Sequence, residues 1–485
     1  MRRVTALGQP PMATADLLER PMPDAVEVLF DVAPGITLEA ICAPPRAAAV
    51  GSQSRSDRRP NSSLEQIDSY LPGPGRRDEA FRRRLSGRRN RRFLLSSLGR
   101  SRSPRPILLC PGPVLLSPYV MRAVRNTNIG HREPEFSTLL LESSAMLRAI
   151  VGIGRAESSY QVALITGSGT AANEAVLASI GRRGPILVLT NGEFGERLLA
   201  TARQHNPDVS ELRCAWQQGI RLDQVEAELR RRHFHLVVVV HHETSTGMLN
   251  PIAAIAELAH RYGALIAVDA ISSIGAEVIA VEEWDIDVMT GTSGKALSAM
   301  PGVGIVVVKT SVLEQSASVS GGPRYLSLHA HCRSMRDQAQ TPNTPAVHVF
   351  VSLHAALREH SRSGEAAVRA VINSRAAYVR NQLTRMGLEY ADYGEATSNV
   401  LTCVSLPKDL SFETLTSHLK SKGIIIYNGK GSLAGKIFQI AHIGALRNND
   451  SRDALGHVRA AMRQAVSITG QSRPIPVERQ PRGVS

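Results

Sequence analysis

The stretch SYQVALITGSGTAANEAVLASIG spans residues 159–181. Its first eight residues, SYQVALIT, are mostly apolar and suit a buried strand. Gly-Ser-Gly-Thr then interrupts the run, and TAANEAVLASIG (170–181) follows with the alanines and leucine of a good helix former. The unit reads strand, tight turn, helix. It recurs along the chain. PILVLT (185–190), FHLVVVVH (234–241), LIAVDA (265–270), DVMTGTS (287–293) and GIVVVK (304–309) read as further strands. FGERLLATARQH (194–205), LDQVEAELRRR (222–232) and IAAIAELAHRYG (252–263) read as helices between them. Several strands are unbroken Val/Ile/Leu runs, as expected when helices cover both faces of a sheet. The rhythm predicts an α/β fold with a mainly parallel, doubly wound sheet.

Outward from this core the texture changes twice. A long helix is expected over AVHVFVSLHAALREHSRSG (346–364), and a smaller α+β unit follows it, with strands at NVLTCVSLP, GIIIYNG and KIFQIAHIG. The expected organisation is an Arg- and Pro-rich extension over 1–104, a large cofactor-binding domain over 105–350 and a small C-terminal α+β domain over 351–470. A polar, Pro-containing tail over 471–485 completes it.

The chain has 485 residues and a net charge of +14, much of it from RRDEAFRRRLSGRRNRRF (76–93) and GRSRSPRP (99–106). Such a stretch reads as a nucleic-acid arm or as an extension outside the folded part. Weak periodicity and few aromatics to stack on bases favour the extension, so no nucleic-acid partner is expected. Acidic residues such as Asp16 and Glu19 argue against a targeting peptide. No apolar run of membrane-spanning length occurs, so no membrane partner is expected either. The five cysteines lack CxxC spacing, which suits a reducing compartment, the cytoplasm, and gives no metal site.

Three motifs carry chemistry. In ITGSGTAANEAV (165–176) the glycines let a ligand approach the backbone, and Ser168 and Thr170 add hydroxyls at a helix N-terminus. That geometry suits a phosphate, although a plain capped turn has the same appearance. Asp269 ends the strand of ALIAVDAISSIG (264–275), where side chains face the ligand crevice of an open α/β sheet. It can hold a heteroaromatic nitrogen protonated, or cap the next helix. Lys295, in GTSGKALSAMPGVG (291–304), is the first lysine of the chain and sits among small and apolar residues. An unpaired ammonium is costly to bury, so this lysine is either ion-paired or an imine-forming nucleophile. A phosphate cradle, an acid and an imine lysine at strand ends of one sheet are the requirements of pyridoxal 5'-phosphate. Phe194, in NGEFGERL (191–198), is placed to stack on its ring.

These residues resemble the class V, fold-type I aminotransferases, most of all their 2-aminoethylphosphonate–pyruvate branch. The resemblance runs over about residues 107–470 and rests on CPGPVLLSP (110–118), GHREPEF (130–136), TGSGTAANEAV (166–176), TNGEFGER (190–197), HHETSTGMLNPI (241–252), VDAISSIGAE (268–277), the lysine segment and QTPNTPAV (340–347). It implies that Ser168, Gly169 and Thr170 hold the cofactor phosphate, that Asp269 pairs with the pyridine nitrogen, and that Lys295 forms the Schiff base and moves the proton of transamination. It further implies that Phe194 stacks on the ring and that Thr244 contacts cofactor or substrate. Thr344, with Thr341, would reach the cofactor phosphate of a partner subunit in a homodimer with shared active sites. The substrates implied are a small amino donor, 2-aminoethylphosphonate, and a 2-oxo acid acceptor, pyruvate.

Two positions depart from the family pattern. Gln439, in KIFQIAHIG, stands where an Arg ordinarily receives the substrate carboxylate, and Gly294 stands where Asn or Gln is common. An amide cannot reproduce a bidentate ion pair, so weak carboxylate binding at Gln439 is expected, with Arg132, Lys436 or Arg447 as substitutes. An alanine–glyoxylate or serine–pyruvate type transaminase is the alternative reading, and a cofactor-binding homologue with altered substrate a further one. A desulfurase would need a mobile cysteine, for which Cys332 is the sole candidate.

Overall fold

The computed structural model describes residues 106–154, 159–316, 322–447 and 449–469. The Arg-rich stretches of 76–93 and 99–104 and the tail of 471–485 lie outside these. Seven strands form the central sheet: β1 (Tyr160–Thr166), β2 (Ile186–Thr190), β3 (Val209–Arg213), β4 (Leu236–Val240), β5 (Leu265–Asp269), β6 (Val288–Thr292) and β7 (Val303–Lys309). Their order across the sheet is β1-β7-β6-β5-β4-β2-β3. β6, β5, β4, β2 and β3 run parallel, while β7 is antiparallel to both its neighbours. The short link from Thr292 to Val303 leaves no room for a crossover helix, so the chain must turn back.

The all-apolar strands are buried on both faces. In β4, Val237 and Val239 join a cluster with Phe136, Leu140 and Ile255, whereas Leu236, Val238 and Val240 join Leu177, Leu198 and Leu199. This two-residue alternation follows from the pleat. The first cluster is covered by α1 (Pro134–Ile150) and α4 (Ile252–Arg261), the second by α2 (Gly169–Ser179) and α3 (Glu193–His205). Each such side chain is worth about 1.5–3 kcal/mol when withdrawn from water. The edge strand β3 reads VSELR, is only half-buried, and carries no apolar run by which the sequence could announce it.

A three-stranded antiparallel sheet follows: Leu401–Ser405, Ile437–Ala441 and Tyr427–Asn428, with Ile437–Ala441 in the middle. Helices Glu365–Arg385, Phe412–Ser421 and Asp450–Thr469 pack on it through Val379, Leu383, Leu415, Leu419, Leu455 and Val458. Ser411 caps the second of these by accepting from Thr414 N. Ile107–Leu108, which the sequence placed with the larger unit, pairs in parallel with Ile424–Ile425. Leu109 belongs to the apolar cluster of this second sheet.

His442 follows the middle strand, wholly buried, with Nε2 2.9 Å from Thr402 Oγ1. Burial, aided by Arg380 and Arg375, pushes its pKa down to about 3. The unfolded chain protonates this imidazole below about pH 6.5, and the folded chain resists until about pH 3. Its contribution is therefore present above pH 6.5 and lost on acidification. Urea titrations at about pH 7.5 and about pH 5 should show His442→Gln reducing the acid-induced loss of stability by about 2 kcal/mol.

Candidate active site

The C-terminal ends of β4, β5 and β6 open onto one cavity of about 520 Å³. Asp269 closes β5, and Lys295 lies three residues beyond β6 on a turn held by Ser293. The Ser293 hydroxyl donates to Met300 O (2.7 Å) and accepts from Val303 N (3.1 Å). Gly294 has a physical reason: a Cβ there would fall 2.6 Å from Pro301 Cβ, so a side chain would break the turn that presents the lysine.

Lys295 Nζ donates to Pro111 O at 3.1 Å. Burial pushes its pKa down, Asp269 opposes this, and Lys430 and Arg197 reinforce it. An amine held in that environment is a better nucleophile and base than a surface lysine. Asp269 is buried, with Oδ1 accepting from Ile271 N (2.9 Å) and Oδ2 from the Asn173 amide (2.7 Å). Thr290 in turn donates to Asn173 Oδ1, which fixes the amide's orientation. Burial pushes the Asp269 pKa up, against the hydrogen bonds from Ile271 and Asn173 and the charge of Lys295. A protonated ring nitrogen beside it would pull the pKa down again and be held in return.

Ser168, Gly169 and Thr170 line the cavity at the start of α2, whose N-cap Ser168 makes no side-chain capping bond. The free amides there, with Arg197 Nη2 3.3 Å from Thr170 Oγ1, suit a phosphate. Phe194 lines the same cavity, its ring centroid 5.8 Å from Lys295 Nζ. Thr244 lines it as well and donates to Ser272 Oγ at 2.7 Å. The donor set, the aromatic wall and the acid match the phosphate, ring and pyridine nitrogen of pyridoxal 5'-phosphate.

Other expected residues lie elsewhere. Arg132 donates to Thr341 O (2.9 Å) and lines a separate concavity with Gln340 and Thr341. Thr344 is exposed and does not line the cavity of its own chain. Gln439 is buried, with Nε2 donating to Thr244 O at 2.7 Å, and its side chain does not line the cavity. That bond ties the strand Ile437–Ala441 to the backbone of Thr244, which lines the cavity. Cys332 is buried in the helix Leu328–Gln338, and burial pushes its thiol up to about 12. It is neither mobile nor ionisable near neutrality, as a desulfurase nucleophile must be.

The sequence reading missed Asn173, Arg197 and Glu243. Glu243 is wholly buried, and its carboxylate accepts from Phe194 N, Gly195 N, Ser245 N and the Ser245 hydroxyl. It thereby anchors the start of α3 and fixes Phe194 over the cavity. The signal was present as an acid in HHETSTG, but only folding brings it to residues some fifty positions earlier. Glu243→Gln would turn an amide NH2 toward backbone N–H groups. It should destabilise the cofactor-loaded protein by about 2 kcal/mol in denaturant titration.

The family model described as Aminotransferase class-V matches residues 122–463. An uncharacterized aminotransferase of Methanocaldococcus jannaschii is 30% identical over 376 residues, 74% of this chain and 93% of the relative. The 2-aminoethylphosphonate–pyruvate transaminase of Pseudomonas aeruginosa is 32% identical over 378 residues, 76% of this chain and 96% of the relative. The crystal structure of ureidoglycine–glyoxylate aminotransferase from Bacillus subtilis superposes with a TM-score of 0.70 at 27% identity, covering 75% of this chain and 94% of that one. The chain belongs to the class V aminotransferase family. It is a fold-type I, pyridoxal-phosphate-dependent transaminase.

Proposed function

We propose that this transaminase moves an amino group from 2-aminoethylphosphonate to pyruvate, leaving phosphonoacetaldehyde and alanine. The observation that carries the reading is the charge of the site. Beyond Lys295 and Arg197, which serve the cofactor, a further cation, Lys430, has its Nζ 5.8 Å from the Phe194 ring centroid, which suits a dianionic donor. The similarity to the Pseudomonas aeruginosa transaminase supports the same substrates.

The bound cofactor supplies an electron-withdrawing ring and a carbon that carries the amino group. Asp269 keeps a proton on the ring nitrogen facing it, and so sustains that electron withdrawal. With the cofactor bound, Lys295 Nζ would take the proton from the amino-bearing carbon of the donor and deliver it to the cofactor carbon that receives the amino group. Phe194, which lines the cavity beside Lys295, would stack on the ring. The amides after Ser168 and the hydroxyls of Ser168 and Thr170 anchor the phosphate, so the reacting atoms stay aligned.

The reading includes a homodimer. Thr344 lies outside its own cavity, which supports a role at the partner subunit's cofactor phosphate. Among the described residues no helix is long and apolar enough to cross a membrane. Four free, buried cysteines support a reducing, cytoplasmic setting. The likeness to a glyoxylate-using aminotransferase favours a second reading with glyoxylate as acceptor, the donor being the alanine or serine of the alternative drawn from the sequence.

A half-reaction screen separates the two. The full chain, loaded with cofactor, is mixed with 2-aminoethylphosphonate, alanine or serine, and conversion to the pyridoxamine form is followed by absorbance. Fastest conversion by the phosphonate is expected. Conversion by alanine or serine alone would install the second reading, and conversion by none would remove both. A chain beginning at residue 105 should show the same spectrum and rate as the full chain. The family match begins at residue 122, and the residues that line the cavity fall between Gly112 and Pro301. Loss of cofactor binding on truncation would make the extension structural.

A further inference from the structure

Beside the cavity stands a cation that the scheme above leaves without a task. Lys430 is half-buried, and its Nζ lies 5.8 Å from the Phe194 ring centroid, the same distance as Lys295 Nζ. Among the described residues no carboxylate pairs with it. It comes from the C-terminal part of the chain, after the strand Tyr427–Asn428, so a segment far from Phe194 in sequence delivers it.

The turn that carries it is tightly built. Gly429 N donates to Ile437 O (3.0 Å), and Leu433 N donates to Lys430 O (2.8 Å). A Cβ at Gly429 would collide with Leu433 O, so the backbone closes on itself there. Gly431 has φ +47°, and a Cβ there would lie 2.5 Å from the Trp216 ring. Trp216 Nε1 donates to Glu196 Oε1 at 2.9 Å, on the helix that bears Phe194 and Arg197. Gly429 thus lets the turn close on itself and Gly431 lets it pack against Trp216, and the side chain between them is a lysine. A solvated surface lysine needs none of this.

Arg197 is already engaged at the phosphate end through Thr170. Gln439 is turned away beneath Thr244. We propose that Lys430 receives the anionic phosphonate of the amino donor and sets the enzyme's preference for a phosphonate-bearing amine. The inference rests on the donor proposed above. An ammonium is a compact point charge and suits a tetrahedral dianion, which needs no planar fork. Lys430 Nζ and Lys295 Nζ each lie 5.8 Å from the Phe194 ring centroid, and the charge of Lys430 helps to push down the pKa of Lys295. An arriving dianion would offset that repulsion.

The test compares wild type, Lys430→Met and Lys430→Arg as full-length, cofactor-loaded proteins. Lys430→Met should raise the KM for 2-aminoethylphosphonate about tenfold or more, which is about 1.4 kcal/mol, and move the KM for pyruvate by less than about twofold. Lys430→Arg should recover most of the loss. An unchanged donor KM in Lys430→Met would overturn the proposal. So would an equal rise in both KM values, since the lysine would then serve the acceptor carboxylate. Ethylphosphonate binding, followed by cofactor absorbance, keeps the inference testable apart from turnover. Wild type should bind it and Lys430→Met should bind it about tenfold more weakly. If the enzyme uses no phosphonate donor but ethylphosphonate binding depends on Lys430, the proposed reaction fails while the anion site stands. If wild type binds no ethylphosphonate, the anion site fails.

Discussion

Lys295→Ala should abolish transamination, with turnover reduced by at least about a thousandfold, because in the proposed mechanism one side chain is both the amine that links to the cofactor and the base that moves the proton. The fold should survive. The amine makes a single hydrogen bond, to Pro111 O, and the turn around it is held by Ser293, Met300 and Val303. The variant should also lose the covalent, borohydride-trappable link to the cofactor while keeping its circular dichroism spectrum. Steady-state transamination in Lys295→Ala would show that another amine performs the reaction. Lys430 would then be the first to examine, since its Nζ lies at the same distance from Phe194.

Asp269→Asn should slow proton removal on the order of a hundredfold or more, about 2.7 kcal/mol of barrier, while leaving the cofactor bound. The amide keeps the volume and one carbonyl acceptor for Ile271 N or Asn173. It has no charge with which to hold a proton on a ring nitrogen. The new NH2 would also meet the Asn173 amide, which Thr290 holds in one orientation. Stopped-flow absorbance of the donor half-reaction isolates the step. A near-normal rate would mean that the carboxylate serves only to order the strand end.

Six strands of the central sheet were legible because both their faces are buried. Leu236–Val240 must be apolar at every position, and such a run stands out in any sequence. Val209–Arg213, half-buried at the edge, carries no such pattern, and the hydrogen bonds that make it a strand come from β2. In the candidate site, Ser168, Asp269 and Lys295 stood out because each ends or follows a strand that the sequence announces. Glu243 and Asn173 were not singled out, since a buried carboxylate or amide in a short polar stretch looks like any loop residue until its donors are known. Gln439 shows the opposite case. Its position in KIFQIAHIG suggested a substrate contact, and the structure turns the side chain away, to Thr244 O.

Taken alone, the amino-acid sequence determined six of the seven central strands, the glycine turn at Ser168, the acid that ends one strand and the lysine beyond another. These depend on local pattern: side-chain periodicity, glycine at tight turns, and polar residues where an apolar strand ends. Tertiary structure alone decided which charges gather around Phe194. Phe194 and Lys430 are more than two hundred residues apart, and the ammonium reaches the ring because two glycines let one turn pack against Trp216 and close on itself. Nothing local encodes that approach. Electrostatic influence depends on distance and burial, and both are set only when the chain is folded.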